Sequence, residues 1–236
     1  MIDDAGRSGS HVLVLVAHPD DAEIGVGGAI AAWTHAGTRV TVGCVAVSEQ
    51  SAEMAARRRM AATEAAKVLG HELVWLVPGD LRQVEELPEY QLVSLVDRVV
   101  RELDADVVVT HNELDSHADH RRVAAAVLAS SRTWPDVAYL QLAVNEHRTP
   151  AFGSFIPSVL VPVEPHLDRQ GRALDAFSYE GQGFRSLDRA GIALRSRALG
   201  SQCNVGAAEG LQLVRVVAGT RGGAGLAELL MIQEKP

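Results

Sequence analysis

Residues 12–16, VLVLV, are an uninterrupted aliphatic run. The run is too short for a helix and rich in β-branched side chains, the pattern of a strand buried on both faces. It ends at Ala17-His18-Pro19, and from there the chain alternates in character. Residues 23–36 are Ala-rich, 39–47 are β-branched, and 51–69 are again Ala-rich and closed by Gly70, a residue suited to the left-handed turn that ends a helix. A short apolar run follows at 72–77. Residues 88–103 then place Leu92, Val96, Val99, Val100 and Leu103 at helical spacing, before a further strand pattern at 106–110. This rhythm predicts an α/β, Rossmann-like fold, a mainly parallel sheet with helices on both faces. In such sheets ligands collect outside the carboxyl ends of the strands, so the site is expected there.

After about residue 135 the pattern loosens. Strands are predicted at 137–144, 158–163 and 211–217, with a Gly-, Arg- and Ser-containing stretch between roughly 165 and 206 that shows no clear element. The segment after Gly219 has no assignable role. No linker interrupts the chain, so residues 1–236 are read as a single domain, with 1–10 as a flexible N-terminal tail.

Composition narrows the function classes. With 47% hydrophobic and 22% charged residues, the 236-residue chain can bury a substantial core. Lys and Arg total 22 against 30 for Asp and Glu, and a net charge of -8 gives no electrostatic footprint for nucleic acid or an anionic membrane. A small polar or cationic ligand fits better. Cys44 and Cys203 lie far apart and form no Cys-x-x-Cys pair, so neither a disulfide framework nor a cysteine metal site is expected. The opening MIDDAGRSGS lacks the basic start and apolar run of a secretory signal, and a cytoplasmic location is expected.

Two segments carry chemistry. His18-Pro19-Asp20-Asp21 follows the first strand directly and precedes a helix. Pro and Asp suit a helix start, but a helix start needs neither an imidazole nor two adjacent carboxylates. His18 and Asp21 can face a common point while Asp20 points elsewhere. Asp115-Ser116-His117-Ala118-Asp119-His120-Arg121 lies just beyond the fourth strand. As a lone segment it reads equally as a polar loop capping the next helix. Adjacent parallel strands would bring the two segments together, with two imidazoles and a carboxylate around one point and further carboxylates and an imidazole nearby. Two His and one Asp leave positions open for water and substrate, as catalytic zinc requires. His111 ends the fourth strand close by, where it could support such a site.

Ala17-His18-Pro19-Asp20-Asp21, followed by Glu23-Ile24-Gly25 and Gly27-Gly28, resembles the signature of the PIG-L/LmbE-like zinc-dependent N-deacetylases, A-H-P-D-D-x-E. His117-x-Asp119-His120-Arg121 resembles that family's second motif, H-P-D-H, with Ala118 in place of its proline. The resemblance implies one zinc ion per chain, held by His18, Asp21 and His120. It implies Asp20 as general base, His117 at the oxyanion and leaving group, and Asp119 as the partner that orients His117. Weaker matches imply that Arg59 and Asp80 hold substrate hydroxyls. The implied reaction removes an acetyl group from a small N-acetylglucosamine-type molecule, in natural-product or thiol biosynthesis, with no nucleic acid or membrane partner. An amidase acting on a larger conjugate and a metal-containing binding protein without turnover are the alternatives, although a mere binder needs no base beside the ligands.

Other readings fit less well. An Fe(II) oxygenase also uses two His and a carboxylate, but those enzymes usually have β-sandwich scaffolds. Gly25-Val26-Gly27-Gly28 falls inside the first helix and lacks the G-x-G-x-x-G spacing of a dinucleotide-binding turn.

Overall fold

The computed structural model of the chain describes residues 9–49, 51–77, 83–144, 155–178 and 188–231. Its centre is a seven-stranded sheet. The strands are β1 (His11–Val16), β2 (Arg39–Cys44), β3 (Glu72–Trp75), β4 (Val107–His111), β5 (Ala138–Leu142), β6 (Val159–Pro162) and β7 (Ala208–Arg215). Their order is β3-β2-β1-β4-β5-β7-β6. The five strands from β3 to β5 are parallel, and β7 runs antiparallel to both β5 and β6. The mainly parallel sheet is as the sequence pattern predicts.

The helices are α1 (Asp21–His35), α2 (Ala52–Leu69), α3 (Glu89–Leu103), α4 (Ala118–Ser131), α5 (Leu167–Asp175), α6 (Arg189–Gln202) and α7 (Arg221–Leu230). Period-two alternation sorts β1 between the two faces. Val12, Val14 and Val16 join a core with residues of α1, α2, α5, α6 and α7, while Leu13 and Leu15 join a second core with α3 and α4. Every residue of β1 is buried, which explains its continuous apolar run.

Local signals set the helix ends. Ser51 caps α2 by accepting the Met54 N–H, and Gly70 closes it in the left-handed conformation at φ 75°. Three helices were not foreseen. α5 and α6 lie within the stretch from 165 to 206, and α7 follows Gly219. Ser10, within the expected tail, is buried, and its backbone N–H donates to Glu228 of α7 at 3.2 Å. Among the described residues no helix is long and apolar enough to cross a membrane.

The sheet order places the site. Chain progression from β1 moves outward to β2 and β3 on one side and to β4 and β5 on the other. The C-terminal ends of β1 and β4 therefore flank the point where the strand order reverses, which is where crevices form in open α/β sheets. The two histidine segments leave the sheet at these ends.

Candidate active site

The turn after β1 carries an uncommon backbone conformation. Asp20 sits at the N-cap of α1 with φ 91°, and its side chain makes no capping hydrogen bond. A non-glycine residue held there costs on the order of 1–2 kcal/mol. The carboxylate is thus kept from the helix end it would ordinarily cap. It lies instead 3.5 Å from the Arg58 guanidinium. Asp21, the first residue of α1, accepts the His18 backbone N–H at 2.8 Å, which closes the turn.

The segment after β4 is built around Asp115, which is fully buried. One of its carboxylate oxygens accepts the His117 backbone N–H at 2.7 Å. The other meets His120 Nδ1 at 2.8 Å. The His117 ring caps α4, with Nδ1 accepting the Asp119 N–H at 3.2 Å. Its neutral form therefore carries the proton on Nε2. Ala118 opens α4, a position where proline suits a helix but is not required.

The two segments meet as adjacent strands predict. His18 Nε2 pairs with the Asp119 carboxylate at 2.9 Å, leaving Nδ1 3.5 Å from one oxygen of Asp21. His120 Nδ1 is held by Asp115, and its Nε2 lies 3.2 Å from the other oxygen of Asp21. Each imidazole thus has one nitrogen fixed by a carboxylate and the other turned toward Asp21, the arrangement that orients metal-ligating histidines. Two overlapping groups have donor atoms within 4.8 Å of one another: His18, His117 and His120, and Asp21, His111 and His120. His111 stacks on His120 with ring centroids 3.9 Å apart. Its Nε2 accepts the Ala17 N–H at 2.9 Å, so that nitrogen is already engaged.

Charge in this cluster is shared between the carboxylates and the imidazoles they face. Burial works against protonating His18 and His120. The carboxylates of Asp119 and Asp21 nevertheless raise His18 to about 9, and those of Asp21 and Asp115 raise His120 to about 10. Asp21 stays well below the usual carboxylate range despite burial, because His120, His111 and His18 surround it. Buried His111, beside His120, is lowered to about 4. His117 is lowered by burial and then by His120 and His18. Asp20 goes the other way. Burial, then Asp21 beside it, push it up to about 7 against the pull of Arg58.

The predicted residues divide into those gathered here and those that are not. His18, Asp20, Asp21, His117, Asp119 and His120 come together. The Asp119 carboxylate is on His18, not on the His117 ring. The helix N-terminus already engages that ring through the Asp119 N–H, which explains the difference. Arg59 lies over the Trp75 ring, 4.4 Å from its centroid, at the end of β3. Arg58 is the arginine that reaches the turn, donating to the Val47 carbonyl at 3.1 Å and the Pro19 carbonyl at 3.4 Å. Asp80 lies outside the described residues. Asp115 and Arg58 are the site residues that sequence reasoning did not single out. Asp115 was legible as the first acid of the second segment, whereas nothing local distinguishes Arg58 from its neighbour.

Known proteins share the family pattern of the first half of the chain and the fold. The sequence model of the PIG-L family, described as GlcNAc-PI de-N-acetylase, matches residues 13–131. The chain belongs to the PIG-L family. A curated relative, the uncharacterized deacetylase YaiS of Escherichia coli K12, is 27% identical over 159 residues, covering 65% of this chain and 82% of its own. Among solved structures, the N,N'-diacetylchitobiose deacetylase of Pyrococcus horikoshii superposes with a TM-score of 0.69 at 20% identity, over 88% of this chain and 84% of its own. The 4-carboxy-2-hydroxymuconate hydratase GalB of Pseudomonas putida superposes equally well, with a TM-score of 0.69 at 20% identity over 89% and 99%. At such identities the likeness shows the fold, and the same PIG-L fold carries differently named activities.

Proposed function

We propose that this PIG-L protein is a metal-dependent N-deacetylase that acts on a small N-acetylated amino sugar. The observation that carries the reading is the pair of carboxylate-anchored imidazoles, His18 and His120, both turned toward Asp21 with Asp20 beside them. The two overlapping donor groups share His120, with His18 in one and Asp21 in the other, and two nitrogens with a carboxylate oxygen are a donor set that suits a divalent cation such as zinc. His18, Asp21 and His120 would hold it, one ion per chain. When bound, the ion supplies Lewis-acid chemistry, polarising the amide carbonyl and making water acidic enough to ionise near neutral pH.

The chain's own residues do the rest. Asp20, adjacent to the ligand set and withheld from helix capping, accepts the proton of the attacking water. His117 has its Nδ1 engaged at the helix end, so its Nε2–H donates a hydrogen bond to the oxygen on which charge develops, and the proton taken up by Asp20 passes to the departing amine. Asp119 and Asp115 hold His18 and His120 in one orientation. Arg59, stacked on Trp75 at the same edge of the sheet, offers a fixed cation to substrate hydroxyls at the periphery, and Asp80 would act with it. The family name and the named activity of the Pyrococcus structure support the amino-sugar substrate class.

The test is acetate release from a panel of N-acetylated amino sugars by zinc-loaded protein, with Asp20→Asn alongside. Asp20→Asn is expected to keep its zinc while losing at least about a hundred-fold in rate. Full turnover by that variant would remove Asp20 from the role of base. Release of a larger acid from a non-acetyl amide would redirect the substrate class. Hydration of an unsaturated acid without amide cleavage would replace the reaction itself.

A further inference from the structure

Helix α1 is broken. Val26 has φ −145° and ψ 22°, far from helical values, and it separates a first turn beginning at Asp21 from the longer segment ending at His35. A break of this kind leaves carbonyls before it and N–H groups after it without their helical partners. In this chain three side chains from the C-terminal half supply them. Gln170 of α5 donates to the Glu23 carbonyl at 2.8 Å, and Arg195 of α6 donates to the Ile24 carbonyl at 2.8 Å. Glu209 of β7 accepts the N–H groups of Gly28 at 3.2 Å and Ala29 at 2.7 Å. Gln170 Nε2 also donates to Glu209 at 2.7 Å, joining the two sides of the break.

The glycines in this helix make the arrangement possible. A Cβ on Gly27 would stand 2.9 Å from Gln170 Cγ, and one on Gly28 would stand 2.9 Å from Val163 Cβ and 3.2 Å from the Glu209 carboxyl carbon. Gly27 and Gly28 are therefore a docking surface for Gln170 and Glu209, not part of a phosphate-binding turn. All three partners lie beyond residue 131, where the family match ends.

We propose that Glu209, joined to Gln170, is a positioning residue for the metal-binding turn: by holding the break in α1 it sets the direction in which the helix's first turn presents Asp21. The inference rests on the metal-dependent reading above. The lever is short but sufficient. Asp21 is about 7 Å along the axis from the break, so a tilt of roughly 10° moves it by about 1 Å, against a tolerance of about 0.2 Å in metal–ligand distances.

Three variants test it at pH 8. Glu209→Gln keeps the side-chain volume but loses an acceptor, Gln170→Ala removes the link, and Leu229→Ala destabilises the remote α7 as a control. Zinc affinity is read by competition with a chromophoric chelator, and hydrogen exchange is followed over residues 17–25. Glu209→Gln and Gln170→Ala are expected to weaken zinc binding about ten-fold and to speed exchange in that segment about ten-fold. The control should do neither, even with an equal fall in melting temperature. Wild-type affinity in both site variants, or equal weakening in the control, overturns the inference. If the wild type takes no zinc, the metal reading fails, and exchange alone then judges Glu209: faster in its variants than in the control supports positioning, and no difference rejects it. Should Glu209→Gln fail to fold, Gln170→Ala carries the same comparison.

Discussion

Asp115 and His120 meet at 2.8 Å inside the protein, and the same carboxylate holds the backbone N–H of His117 at 2.7 Å. One buried acid therefore sets both the ring orientation of His120, the proposed ligand, and the path of the loop that carries His117. Its pairing with His120 keeps it ionised although burial opposes that. Asp115→Asn is expected to weaken zinc binding by about ten- to a hundred-fold, since such carboxylate–histidine contacts commonly contribute that much. Chelator competition measures it, and unchanged affinity would remove Asp115 from the site.

The two neighbouring arginines of α2 are expected to separate kinetically. Arg58 reaches the Asp20 turn and forms an ion pair with Glu49 at 3.3 Å, so Arg58→Ala should lower kcat through a displaced base. Arg59, over Trp75, should affect binding. Arg59→Ala is expected to raise KM several-fold with kcat held within about two-fold, the signature of lost uniform binding. Steady-state kinetics on an amino-sugar substrate decide it, and the reverse pattern would exchange their roles.

Gly28 has no room for a side chain, because a Cβ there meets both Val163 and Glu209. Gly28→Ala should destabilise the fold by about 1–3 kcal/mol through overpacking. In a chain of this size that is roughly 2–12 °C in melting temperature. Scanning calorimetry reads it, and an unchanged midpoint would mean that α1 can shift without cost.

Glu209 makes stability depend on pH. Burial pushes its pKa up to about 7, with the Ala29 and Gly28 N–H groups, the nearby Arg195 charge and Gln170 pulling the other way. The folded state then binds more protons than the unfolded state between the ordinary glutamate value and about 7. The Glu209 contribution is therefore fully present at low pH and is lost as pH rises toward 7, by up to about 3 kcal/mol. Wild type should lose more stability between pH 5 and pH 8 than Glu209→Gln does. Urea unfolding at both pH values measures the difference, and parallel slopes would show that Glu209 ionises normally.

How much was legible follows from the range of each signal. The strand runs at 12–16 and 106–110 and the helical spacing at 88–103 mark the parallel half closely, because burial of a central strand or one helix face writes a short period into the chain. Strand β2 is shorter than its β-branched run, ending at Cys44. The strand predicted at 211–217 begins earlier, at Ala208. Helix α5 is amphipathic but only nine residues long, and α6 carries few large apolar residues, so neither stood out in the pattern. Asp119 was expected to orient His117 and instead holds His18, 101 positions earlier in the chain.

The sequence by itself determined the α/β class, the strands that end at the site and the six acids and histidines gathered there, because each depends on residues within a few positions of one another. The tertiary structure alone decided which nitrogen of each imidazole faces Asp21, which arginine reaches Asp20, and why Gly27 and Gly28 stand in α1. Those outcomes depend on contacts such as His18 with Asp119 and Ala29 with Glu209. They join elements far apart in the chain, and no local period of hydrophobic or polar positions encodes them.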